Sequence, residues 1–155
     1  MSDELVRVEL VQQADYRFDT RFGGDVPAVL TDEPPPLGTG RGPSPVQLLC
    51  AAVGNCLSDS LIFALRKYKQ TPEPLRCSVE AQVGRNAEGR VRVLAMQARL
   101  QLGVPAGQLQ HLDRVLSQFE AFCTVTQSVG QGIAIRTEVL DADGVLLKPA
   151  TPLSP

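Results

Sequence analysis

The chain has 155 residues, of which 43% are hydrophobic and 21% charged, and a formal net charge of −2. That length points to one domain with a real core, and the balanced, scattered charge argues against an electrostatic nucleic-acid surface. The acidic start Met1-Ser2-Asp3-Glu4 lacks the regions of a signal peptide, and Arg66-Lys67 interrupt the longest apolar run short of the roughly 18 residues of a membrane span, so a cytoplasmic protein is expected.

Leu5 to Val11 alternates apolar and polar residues and predicts a half-buried strand. Tyr16 to Phe22 alternates too, and Gly23-Gly24-Asp25 turns the chain into a short apolar strand at Ala28 to Leu30. The segment Asp32 to Pro43 holds three consecutive prolines and three glycines, which excludes regular structure and predicts a crossing loop or flap. Ser44-Pro45-Val46-Gln47 is a helix start. Ser44 caps, Pro45 suits the first helical position, and Gln47 completes a capping box. Leu49, Val53, Cys56, Leu57, Ser60, Leu61 and Ala64 follow at helical spacing, so a mostly apolar central helix is expected to about Tyr68, stopping before Pro72.

Leu75 to Val83 and Arg90 to Leu102 predict two strands joined by a turn at Asn86 to Gly89. Pro105 is expected to open a second amphipathic helix, with Leu109, Leu112, Val115, Leu116 and Phe119 on one face. Thr124-Val125-Thr126-Gln127 starts a short helix that Gly130 or Gly132 stops. Gly132 to Leu140 is a last strand, and the tail Lys148 to Pro155 is expected to be disordered. The order β-β-β-α-β-β-α-α-β favours an α+β fold, with residues 1–147 as a single domain and 148–155 as a tail.

Four cysteines in a reducing compartment read as core residues, metal ligands or redox groups. Cys56 lies in the middle of the apolar helix, and Cys123 follows 67 residues later at the start of the short one. An ordinary thiol is only a few per cent ionised at pH 7. Cys56 is too far along its helix for the N-terminus to help, so it needs a nearby cation, and an Arg that stays charged suits that role. Cys123 would lie at the positive end of its helix if Thr124 caps it, which lowers its pKa. Cys50 and Cys77 read as packing. No Cys-x-x-Cys exists, and His111, the single His, reads as a solvated residue, so no metal site is expected. Arg66, Lys67 and Lys69 suit the helix dipole and call for no ligand.

Together, four stretches resemble the OsmC/Ohr family, the organic hydroperoxide reductases and osmotically induced peroxidases. They are Asp32-Glu-Pro-Pro-Pro-Leu-Gly38 leading into Gly42-Pro-Ser-Pro45, and the helix Pro45-x-x-Leu-Leu-x-Ala-Ala-x-x-x-Cys56. The others are the strand pair with its charged turn, and Phe122-Cys123-Thr-Val-Thr-Gln-Ser-Val129 before a Gly-led strand. The resemblance spans roughly residues 5 to 140. It implies an OsmC-like α+β fold, with antiparallel sheets wrapping a long central helix in an intertwined homodimer and active sites at the subunit interface.

It also implies that Cys56 is the peroxidatic residue and Cys123 the resolving one. The Ohr branch places a Glu directly after the helix-starting Pro, where this chain has Val46 and then Gln47, a pocket candidate. The branch also uses an Arg from the N-terminal strands, for which Arg17 and Arg21 are both candidates. The expected function is a thiol-dependent peroxidase. It reduces organic hydroperoxides to alcohols through a Cys56 sulfenic acid and a Cys56–Cys123 disulfide. No cofactor is implied. Electrons would come from an external dithiol, a lipoyl protein or a thioredoxin-like donor. Val46 keeps an alternative open: a non-enzymatic OsmC-like dimer that binds a small apolar ligand or senses oxidants.

Overall fold

The N-terminal alternation forms a three-stranded antiparallel sheet in the computed structural model, which describes residues 2–152. Its strands are β1 (Glu9–Ala14), β2 (Arg17–Arg21) and β3 (Val29–Thr31), in the order β1-β2-β3. β1 begins later than the alternation suggests and is not half-buried. Leu10 and Val11 stay exposed on it, as do Leu5 and Val6 before it.

The Pro-rich segment after β3 is an ordered loop built on one carboxylate. Asp32, itself buried, accepts hydrogen bonds from the backbone N–H groups of Glu33 (2.8 Å), Thr39 (3.2 Å) and Arg41 (3.2 Å), and from the Thr39 hydroxyl (2.6 Å). Those donors favour the charged form and hold the Asp32 carboxyl at about 2, below its ordinary 3.8, with the Thr39 hydroxyl as the largest cause. The strand end and the loop close so tightly that a Cβ on Gly42 would lie 1.9 Å from the Leu30 carbonyl oxygen, so only glycine fits there.

α1 (Pro45–Lys67) starts where the capping box predicts. The Gln47 side chain accepts from the Ser44 N–H (2.9 Å), and the Ser44 hydroxyl accepts from the Gln47 N–H (3.3 Å). Contrary to the expectation from Arg66-Lys67, α1 is long and apolar enough by length and composition to cross a membrane. In this fold its stripe Val53, Leu57, Leu61 and Leu65 is fully buried. The chain divides within this helix into two compact units, the first reaching Leu49 and the second beginning at Cys50.

The second unit carries a four-stranded sheet in the order β4 (Arg76–Arg85), β5 (Val91–Gln101), β6 (Ala134–Leu140), β7 (Leu146–Pro152). β4–β5 and β6–β7 are antiparallel, but β5–β6 is parallel, so this sheet is mixed and not antiparallel throughout as the resemblance implies. A parallel neighbour needs a long crossover, and the segment between Gln101 and Ala134 supplies it. Pro105 opens only a 3-10 turn (Ala106–Gln108). The expected second helix begins later, as α2 (Leu112–Gln118), because His111 takes a left-handed conformation (φ 58°) and breaks the run. A 3-10 turn (Phe119–Phe122) and α3 (Thr124–Val129) complete the crossover. Met96, Ala98 and Leu100 of β5, Ile135 and Val139 of β6, and Phe119 are buried with the α1 stripe.

The tail is corrected in part. Lys148 to Pro152 belongs to β7, which pairs with β6 through Thr151–Thr137 and Lys148–Val139, and residues 153–155 lie outside the described residues. Alternation is absent from Leu146-Leu-Lys-Pro-Ala-Thr-Pro152, and its prolines read as breakers. An edge strand tolerates them because one side of its ladder is unpaired.

Candidate active site

The central helix and the crossover bring Cys56 and Cys123 together. α1 holds Cys56 half-exposed between the buried residues Val53 and Leu57. Cys123 is fully buried at the junction of the 3-10 turn and α3. Cys56 lies close enough to Cys123 to raise its pKa, through their side-chain interaction and through its charge.

Burial is nevertheless the largest influence on Cys123 and pushes its pKa above the ordinary thiol value. The expectation of a lowered value is therefore overturned. Cys123 itself occupies the cap position of α3, but that helix is only six residues long and the buried sulfur has no solvent to share a charge. The opposing influence comes from Thr126, likewise fully buried. The Cys123 Sγ–H donates to Thr126 Oγ1 at 2.8 Å.

Glu120 fixes the backbone around Cys123. Its carbonyl accepts from the Cys123 N–H (3.1 Å) and from the Gln127 side chain (3.0 Å). Its carboxylate pairs with Lys148 of β7 at 2.6 Å, with the two side chains only 12% and 16% exposed.

Two exposed aromatic rings on the elements that carry the thiols share one cation, a feature that sequence reasoning missed. The Lys67 ammonium sits 4.8 Å from the ring centre of Phe63 and 5.4 Å from that of Phe122, and both rings are exposed. Phe122 directly precedes Cys123. Phe63 lies seven residues after Cys56 on α1, which is two turns along the same face. The Phe63-to-Lys67 step of four residues is legible in the sequence, but the reach to Phe122 is a tertiary fact.

The other predicted residues are accounted for separately. Arg21 spends its guanidinium on Asp19 (2.7 Å) and is exposed. Arg17 is half-buried on β2 and has no carboxylate partner among the described residues. Gln47 serves the capping box and also lines an open cleft of about 490 Å³ with Pro34, Arg41 and Pro43. These three belong to the first unit, the two thiols to the second.

Cys50 and Cys77 border a different cleft of about 420 Å³, with Ser58 and Asn55. Burial raises both of their pKa values. Cys77, expected in the core, is exposed on β4 with its sulfur turned toward α1 near Gly54. His111 is on the surface as expected, but its ring stacks on Tyr68 at 4.7 Å. Among the described residues no three His, Cys, Asp or Glu side chains converge.

The OsmC-like protein family matches residues 38–138. Solved structures share the fold at low identity. One is an OsmC-like protein of unknown function from Vibrio cholerae (18% identity, 90% of this chain and 100% of that one, TM-score 0.74). An organic hydroperoxide resistance protein OsmC from Legionella pneumophila aligns at 13% identity over 90% of this chain and 98% of that one (TM-score 0.67). The organic hydroperoxide resistance protein OhrB of Bacillus subtilis aligns at 12% over 88% and 98% (TM-score 0.67). No curated protein sequence matches the chain.

Proposed function

Since the chain belongs to the OsmC-like protein family, we propose that it is a thiol-dependent peroxidase that reduces organic hydroperoxides to alcohols. The observation that carries this reading is the meeting of Cys56 and Cys123 from positions 67 residues apart. The names of the Legionella and Bacillus neighbours agree with it.

The chemistry needs little apparatus. The half-exposed Cys56 sulfur attacks one peroxide oxygen, the O–O bond breaks, and an alcohol leaves. Cys56 becomes a sulfenic acid. The Cys123 sulfur then attacks the Cys56 sulfur, an S–S bond forms, and water departs. An external dithiol, from a lipoyl protein or a thioredoxin-like donor in the cytoplasm, returns both thiols.

The rings of Phe63 and Phe122 favour a substrate with an apolar body. Arg17 and Arg21 remain the peroxide-orienting candidates, and Arg17 has no carboxylate partner among the described residues. The exposed Leu5, Val6, Leu10 and Val11 call for cover, which a homodimer would supply.

The test is intact-mass analysis and peptide mapping after one equivalent of cumene hydroperoxide. The expected result is a loss of about two mass units and a linked Cys56–Cys123 peptide. Unchanged mass with both thiols still alkylatable would reject the peroxidase and leave the ligand-binding reading.

A further inference from the structure

A buried thiol is a poor nucleophile, because the form that attacks is the thiolate and burial opposes it. Cys123 is fully buried, yet the proposed cycle asks its sulfur to attack and later to leave. Its neighbour offers a way through. A threonine hydroxyl carries one donor and two acceptor sites, and its hydrogen can rotate. In the reduced protein Thr126 Oγ1 accepts from the Cys123 Sγ–H at 2.8 Å.

We infer that Thr126 is a positioning residue for the second thiol, its hydroxyl turning from acceptor to donor as the Cys123 proton leaves. The inference rests on reading Cys56 and Cys123 as the reacting pair. In the resolving step the Cys123 sulfur gives its electron pair to the Cys56 sulfur, and the Cys56 S–O bond breaks. The Cys123 proton joins the departing hydroxide as water. Cys123 is oxidised, and the sulfenic sulfur is reduced to the disulfide level. The rotated hydroxyl meets the negative charge that builds on Cys123 before the bond forms. When an external thiolate later attacks the Cys56 sulfur, the same hydroxyl receives the leaving Cys123 thiolate.

The surroundings leave this task to Thr126. α3 carries no ionisable side chain. On the 3-10 turn Glu120 is paired with Lys148 of β7. α2 offers Asp113 and Arg114, both exposed. From α1 come Cys56, whose charge opposes ionisation, and Lys67, whose ammonium lies over the Phe63 and Phe122 rings; the hydroxyl and the backbone N–H of Thr126 favour ionisation, and only the hydroxyl is lost in Thr126→Val.

The test uses thiol–disulfide exchange, so it does not depend on peroxidase activity. In a Cys50→Ser, Cys77→Ser background, 5,5′-dithiobis(2-nitrobenzoate) caps Cys56 and releases one thionitrobenzoate. Attack by Cys123 on the capped sulfur releases a second, read at 412 nm as a function of pH. Thr126→Val should slow the second release about tenfold at pH 7 and move its inflection up by about one pH unit, so that the rates converge at high pH. Thr126→Ser should stay close to the parent.

Superimposable Val and parent profiles would overturn the inference. So would equal loss in Ser and Val, slowing at every pH alike, or no second release in the parent. A positive result here with no reaction toward cumene hydroperoxide would reject the peroxidase and keep the role of Thr126.

Discussion

At the scale of single residues, the two thiols are prepared for different work by what surrounds each sulfur. Cys56 is half-exposed and can meet an oxidant, whereas Cys123 is sealed, bonded to Thr126 and close to Cys56. Cys56→Ser should therefore cut hydroperoxide consumption by orders of magnitude. Cys123→Ser should keep one fast turnover and then stall as a sulfenic acid that dimedone labels. A Cys123→Ser protein that turns over repeatedly without a label would break the proposed division of labour. Asp32 offers a separate test. Its folded pKa is depressed to about 2 from 3.8, so its contribution to stability is full above about pH 4 and is lost as pH falls toward 2. Urea midpoints measured from pH 5 to pH 2 should fall more steeply in the parent than in Asp32→Asn. Parallel curves would mean that the carboxylate does not hold the loop.

Among the elements, α1 and β7 show the two ends of what the sequence reveals. The start of α1 was legible to the residue, because a capping box is local chemistry and both of its hydrogen bonds form. Cys56 and Cys123 were likewise legible as a pair through their flanking patterns. Their seat was not, since it depends on Lys148 reaching Glu120 from a strand that the prolines disguise. Breaking that pair with Lys148→Met should cost about 2–3 kcal/mol, below the fully buried limit because some solvent reaches both side chains. Adding Glu120→Gln should return part of the loss, and a double-mutant cycle in urea measures both. Additive effects would show that the strand does not brace the turn before Cys123. The packing of α1 on β4 is as exacting. A Cβ on Gly54 would lie 2.9 Å from Val79 Cγ2 and 3.3 Å from Cys77 Sγ. Gly54→Ala gains about 1 kcal/mol of helix propensity but loses about 1–3 kcal/mol to overpacking, so net destabilisation is expected. A raised melting temperature would show that the helix can shift without cost.

For the molecule as a whole, the two neighbouring sulfurs and the exposed apolar residues make separate demands. Cys56 and Cys123 meet within one chain, so closing the proposed disulfide would need no partner. Leu5, at 85% exposure, and Val6, at 79%, lead an exposed apolar series that runs through Leu10 and Val11 of β1 to Leu37. Exposure on that scale is what the proposed homodimer would cover. Light scattering should accordingly give twice the 16.7 kDa chain mass. Leu10→Glu combined with Val11→Lys should bring the mass back to that of one chain. Both positions are exposed, so the fold should survive and circular dichroism should be unchanged. One equivalent of cumene hydroperoxide should still link Cys56 to Cys123 in that monomer. Repeated turnover with a dithiol should fall if the partner helps to build the substrate pocket, as the proposed homodimer requires. A parent protein that is monomeric at every concentration, or a monomeric variant with full turnover, would confine the active site to a single chain.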